Sequence, residues 1–302
     1  GISAGSNLDL TNYGLISGSD EGEGYAGVSA YEGANITNFG DISGDQFGIV
    51  IGESIIDSVQ ALDEVTPSNT ITNSGTITGS EAAISLGYGD NVVNLDFGST
   101  INGDIRGVKG SNQLNFLSGS DSISEENNIV HGNVYGMDVI TKSQSGYAFI
   151  GGNNTGYTGN TIIEQGALAV TSANALGSGS LTVRRYGVLD IMTDGFTKTA
   201  TYEAGSIERW SVDNARSGTI DLGGATLQVN ADQFLTMAKL RALRLHRLGR
   251  HVQPPLDAGA RQRGAPVRGG LQQRMHQAGV AQRQAALAQA RIDLERTRIV
   301  SP

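Results

Sequence analysis

The 302-residue sequence contains no cysteine, and aromatic residues make up only 6% of it. Without cysteine there is no disulfide framework, no thiol nucleophile and no thiolate metal site. So small an aromatic share argues against the core of a compact mixed α/β enzyme. No apolar run approaches the roughly 20 residues that a membrane-crossing helix needs. The opening residues, GISAGSNLDL, lack the basic and apolar regions of an export signal, so any such signal is expected to have been removed or to lie outside this sequence. Basic residues are scarce over residues 1–235, which hold 8 of them against 27 acidic ones, a charge of −19. Residues 236–302 hold 13 basic and 3 acidic side chains, a charge of +10, and the two parts give the overall −9. An acidic, lysine-poor body argues against nucleic acid as a partner, because phosphate binding depends on clustered Lys and Arg.

Glycine is abundant instead, at 43 residues, and asks for many turns. Those turns are periodic. LTNYGLISG at 10–18, ITNFGDISG at 36–44 and ITNSGTITG at 71–79 are variants of one nonapeptide. Ile36 and Ile42 sit six positions apart, as do Ile71 and Ile77, so strand alternation puts each pair on one face. Gly40 and Gly75 allow the bend between them, and Thr37 and Thr72 point outward. Asn38 and Asn73 fall at the bend, where asparagine tolerates left-handed backbone and can stack into an amide ladder. The nonapeptides start 26 and then 35 residues apart, too far for hairpin partners and suitable for successive coils of a solenoid. The longer interval includes IGESIIDSVQALDEVTPSN, read as an outward loop or short helix. Downstream, residues 89–119 continue the alternation, with Val93, Leu95 and Phe97 on one face, and likewise Leu114 and Phe116. At about 25 residues per coil and ~4.8 Å between strands, residues 1–235 would make about nine coils, a rod near 45 Å long.

Residues 147–191 combine Gly152, Asn154, Tyr157, Thr158, Gly159, Thr161 and Ile163 with Gly166, Leu168, the run Ala175, Leu176, Gly177, Ser178, Gly179, and Leu189. This segment resembles the passenger-associated repeat of bacterial autotransporters, and GGATLQV at 223–229 resembles the start of a further coil. The resemblance implies a mainly β protein, a right-handed parallel β-helix over 1–235, carried across the outer membrane and ending outside the cell. It also implies an outer-membrane β-barrel translocator in the intact protein, which this sequence does not include.

After Leu235 the strand grammar stops. Residues 236–270 form a basic Arg-, Pro- and Gly-rich linker expected to be loose. Residues 271–302 favour an amphipathic α-helix with Val280, Leu287 and Leu294 along one seam. Its end, at 280–302, resembles the junction between helical hairpin and lipoyl domain in periplasmic adaptor, or membrane fusion, proteins. Joining two such pieces through a basic bridge raises the alternative of a fused or frameshifted chain.

Parallel β-helix enzymes that act on polysaccharides place carboxylates and basic groups in one groove, and Asp90, Asp96, Asp104, Arg106 and Lys109 are the candidates here. The plainer reading is solvated carboxylates on turns. Asp20, Glu21 and Glu23 suggest calcium only superficially, since the Gly-Gly-x-Gly-x-Asp repeat does not recur. His131 has no ligand partner in sequence, and His246, His251 and His276 lie at unrelated spacings. GSGSL at 177–181 belongs to the repeat rather than to a nucleophile elbow. Arg283, Arg291, Arg296 and Arg298 could touch an acidic surface or nucleic acid, and a solvated helix face is the more ordinary reading. The expectation is therefore a non-enzymatic surface or secreted passenger segment, a stalk or adhesin, with no catalytic, metal or cofactor residues assigned. Its partner would be a receptor or glycan on a host or neighbouring cell, met by loops such as 52–67. A carbohydrate-active β-helix enzyme, a lyase or glycoside hydrolase, is the alternative.

Overall fold

A computed structural model describes residues 1–19, 25–52, 68–121, 128–212, 215–216, 220–229 and 245–246. The chain divides into two compact units, Gly1–Pro254 and Pro255–Pro302, and all described residues lie in the first. The fold is a parallel β-solenoid. Its strands stack in three columns, and every pairing between named strands is parallel. One column runs from Ile2–Ala4 through Ala26–Ala30, Phe47–Ile51, Ala82–Leu86 and Ile105–Gly107 to Val134–Tyr135. In the second column nine strand segments follow one another, starting with Leu8–Asn12, Ala34–Asn38 and Asn69–Asn73 and ending at Thr201–Tyr202, in keeping with the expected coil number. The third column starts at Leu15–Ser17 and ends at Thr226–Val229.

Stacking puts like on like. Leu10, Ile36 and Ile71 are register partners in one column, and Ile16, Ile42 and Ile77 in the next. Ile36, Ile42, Ile71 and Ile77 are fully buried inside the coil. Each such side chain contributes about 1.5 to 3 kcal/mol when buried, whereas ordering one residue's backbone costs about 1 to 2. One coil alone would not hold; its neighbours supply the missing contacts. The bends are close enough to require glycine. A Cβ on Gly40 would lie 2.1 Å from the Gly14 carbonyl oxygen, and one on Gly75 would lie 2.0 Å from that of Gly40.

Coil length varies along the chain: 26 and 35 residues separate Asn12, Asn38 and Asn73, 26 separate Gln113 from Val139, and 20 separate Thr161 from Leu181. In the shorter coils, single strands Asn160–Val170 and Leu181–Ile191 run through both the second and third columns, with an irregularity near Ile163 and Gln165.

Two expectations are corrected by the structure. Phe97 leaves the alternation begun by Val93 and Leu95: the strand ends at Leu95, and Phe97 is 53% exposed on the turn that follows. Asn38 and Asn73 do not adopt left-handed backbone; they close their strands and turn their amides into the core, which extended geometry permits by simple alternation. Within the basic segment, Leu245–His246 pairs in parallel with Ile220–Asp221. The remainder of the basic linker, the helix expected at 271–302 and the loop at 53–67 lie outside the described residues.

Candidate functional site

The carboxylates proposed for a catalytic groove are held at separate turns. Asp90 precedes the strand Asn91–Leu95 and Asp96 follows it, so roughly 17 to 20 Å of extended chain lies between them. Asp104 precedes the strand Ile105–Gly107 in another column. Facing carboxylates of glycosidases stand about 5 to 9.5 Å apart. Here each acid instead fastens one coil to the next or caps its own turn. Asp90 accepts from the Ser111 amide at 2.9 Å, and Asp104 from the Asn133 amide at 2.9 Å. Asp96 accepts from the Phe97 amide at 2.8 Å and from the Ser118 hydroxyl. Arg106 pairs with Asp104 at 3.3 Å, and Lys109 lies over the Tyr88 ring at 5.4 Å.

His131 is exposed at the end of the strand Ile129–Val130. Among the described residues, no three His, Asp or Glu side chains group to hold a metal ion, and no helix is long and apolar enough to cross a membrane. Asp20, Glu21, Glu23, His251, His276, Arg283, Arg291, Arg296 and Arg298 fall outside the described residues.

The passenger-like repeat positions explain themselves as packing. Tyr157 is fully buried and donates to the Asn160 carbonyl at 2.7 Å, and burial pushes its hydroxyl up to about 12. Asn154 accepts from the Val134 amide at 2.7 Å and donates to the Ala175 carbonyl at 2.6 Å, joining three coils. The 177–181 stretch lies on a turn stacked against Tyr157, with the Ser178 amide donating to the Tyr157 carbonyl at 2.8 Å.

Several buried polar groups escaped the sequence reading. The expected ladder is present, with Asn12 donating to Asn38 and Asn38 to Asn73, each at 2.7 Å. A second ladder runs from Asn69 to Asn91 to Asn112, each step at 2.6 Å. Its signal was visible: in Ser68-Asn69, Asp90-Asn91 and Ser111-Asn112 the asparagine stands two residues before Ile71, Val93 and Leu114. Lys142 is buried, and its ammonium donates to the carbonyls of Leu117, Ser143 and Gln144 at 2.8, 2.6 and 3.0 Å. Desolvation pulls its pKa down to about 8, against the opposing charge of Asp96. Glu208 points into the core, pairs with Arg216 at 2.7 Å and accepts from the Trp210 indole at 2.7 Å. No sequence pattern announced either group.

The outward face of the third column carries the most site-like arrangement. Tyr147 and Arg209, on strands separated by those bearing Ala167 and Val188, lean toward each other across small residues. The Arg209 guanidinium lies 5.7 Å from the Tyr147 ring centre and donates to its hydroxyl. Gln228, at 3.1 and 3.2 Å, and Asp190, at 3.3 Å, fix the guanidinium from behind. Asp190 is fully buried and accepts from Ser211 at 2.6 Å; burial raises its pKa, with Ser211 and Arg209 opposing. Beside this arch lies a pocket of about 230 Å³ bounded by Gly146, Gly166, Ala167, Val188 and Asp121. Gly166 has φ +73, and a side chain there would meet backbone oxygens of Gln144 and Gly146 at 2.5 and 2.6 Å. A larger crevice of about 640 Å³ lies between turns 173–181 and 197–201, where Lys198 donates to the carbonyls of Gly177 and Gly179.

Over 147 residues the chain is 27% identical to a protein named Adhesin BmaC autotransporter, from Brucella suis biovar 1 (strain 1330). The match covers 49% of this chain and 4% of that protein, so the chain spans a small fraction of its relative's length. No protein-family model matches the chain, and no solved structure matches it. The similarity supports a relationship to autotransporter passengers; it does not show the adaptor-like reading of 280–302.

Proposed function

We propose that residues 1–235 are a passenger segment of an autotransporter adhesin, displayed on or released from the bacterial surface and acting without catalysis. In the intact protein an outer-membrane β-barrel would deliver it, and its partner would be a receptor or glycan on a host or neighbouring cell. The observation that carries this reading is that Asp90, Asp96 and Asp104, the acids proposed for a groove, are separated and engaged in fastening the coils. The similarity to an adhesin passenger supports it.

The test uses beads coated with the full chain, presented to epithelial cells and to bacteria, with albumin-coated beads alongside. Adhesion above the albumin level is expected. Adhesion no greater than albumin would remove the adhesive function. Release of reducing ends or unsaturated uronates from a polysaccharide panel would favour the carbohydrate-active enzyme instead.

A further inference from the structure

We propose that the pocket beside the Tyr147–Arg209 arch binds a single neutral pyranose at the end of a glycan, which gives the adhesin reading above a ligand class and a place. A pyranose ring presents an apolar CH face together with hydroxyls that both donate and accept, and the pocket offers both kinds of surface. Ala167, Val188 and the Tyr147 ring supply apolar contact. Arg209 donates, and Asp121 accepts. The size agrees: about 230 Å³ lies below the ~300 to 1,000 Å³ of pockets for drug-sized ligands, which leaves room for one sugar ring rather than a buried chain.

Preorganisation is the second ground. The guanidinium is already oriented by Gln228, Asp190 and the Tyr147 hydroxyl, so little side-chain freedom remains to be lost on binding. Asp190, fully buried behind it and held by Ser211, is a positioning residue. Charge selects the ligand. Asp121 and Asp190 together outnumber Arg209, and Asp121 has no ion-pair partner among the described residues, so an acidic sugar would bring its carboxylate toward that of Asp121.

Saturation-transfer NMR on the full chain tests this with the methyl glycosides of glucose, N-acetylglucosamine and glucuronic acid. Transfer to the ring CH protons of one or both neutral glycosides is expected, and weaker transfer to the glucuronide. Ala167→Leu fills the pocket without removing a hydrogen bond and should weaken neutral binding about tenfold or more, equivalent to about 1.4 kcal/mol. Asp121→Asn should narrow the preference against the glucuronide. No transfer from either neutral glycoside, transfer unaffected by Ala167→Leu, or tighter binding of the glucuronide in the unmutated chain would each overturn the proposal. Bead adhesion separates the two readings: beads that adhere while no glycoside binds sink the pocket and leave the adhesin, whereas glycoside binding without adhesion does the reverse.

Discussion

Replacing Asn38 with alanine should loosen the coils on either side of it far more than its single buried side chain suggests. The Asn38 amide donates to Asn73 Oδ1 at 2.7 Å and to the Gly40 carbonyl at 2.8 Å, and its own oxygen accepts from Asn12 at 2.7 Å. Asn38 and Asn73 are fully buried, so water does not replace the lost donor. Asn73, Gly40 and Asn12 each lose one hydrogen-bond partner and keep another, and three lost bonds at about 0.5 to 1.5 kcal/mol each predict a loss of about 1.5 to 4.5 kcal/mol. Thr37→Ala, on the half-buried outward face of the same strand, should cost no more than about 1 kcal/mol. Coils of a solenoid contact only their neighbours, so the damage should be local. Hydrogen exchange read by mass spectrometry gives that resolution. Amides in 10–18, 36–44 and 71–79 should exchange tens- to thousands-fold faster in Asn38→Ala, while those in Leu181–Ile191 keep the rate of the unmutated chain. Asn38→Asp should be at least as damaging, because a carboxylate would face the oxygens of Asn73 and Gly40. Equal exchange in Asn38→Ala and Thr37→Ala would refute the claim that the amide ladder holds adjacent coils together.

Two further perturbations follow from the buried charges. Lys142 titrates near 8 in the folded chain against 10.5 for an ordinary lysine, so between those values the unfolded chain binds more protons and folding is favoured as pH rises. Urea midpoints of the unmutated chain should therefore rise relative to Lys142→Met across that window; parallel curves would contradict the assignment. Arg216→Met leaves Glu208 charged and unpaired in the core and should cost about 3 to 5 kcal/mol. Adding Glu208→Gln, which keeps an acceptor for the Trp210 indole, should recover part of that loss. The sequence's one tryptophan, Trp210, reports the unfolding by fluorescence, and a double variant no more stable than Arg216→Met would count against the ion pair.

Much of the architecture was legible because a solenoid repeats its local rules. The spacing of Ile36 and Ile42, matched at Ile71 and Ile77, fixed which face is inward, and stacking then placed each isoleucine on its counterpart. The ladder through Asn38 was readable for the same reason. The second ladder was hidden by its varied context, since Asn69, Asn91 and Asn112 share only their distance from the next buried aliphatic residue. Phe97 was misplaced because alternation cannot say where a strand ends, and a turn after Leu95 reverses the facing.

By itself the sequence determined the coil: its period, its inward aliphatics, its glycine bends and the acidic character of its surface, all properties of residues close together in the chain. Tertiary structure decided which distant polar groups meet. Arg209 reaches Tyr147 across 62 positions, and Glu208 finds Arg216 only when its strand faces the core. Such meetings depend on coil length and register summed over several turns, and each insertion or shortened coil shifts the partner of every residue that follows.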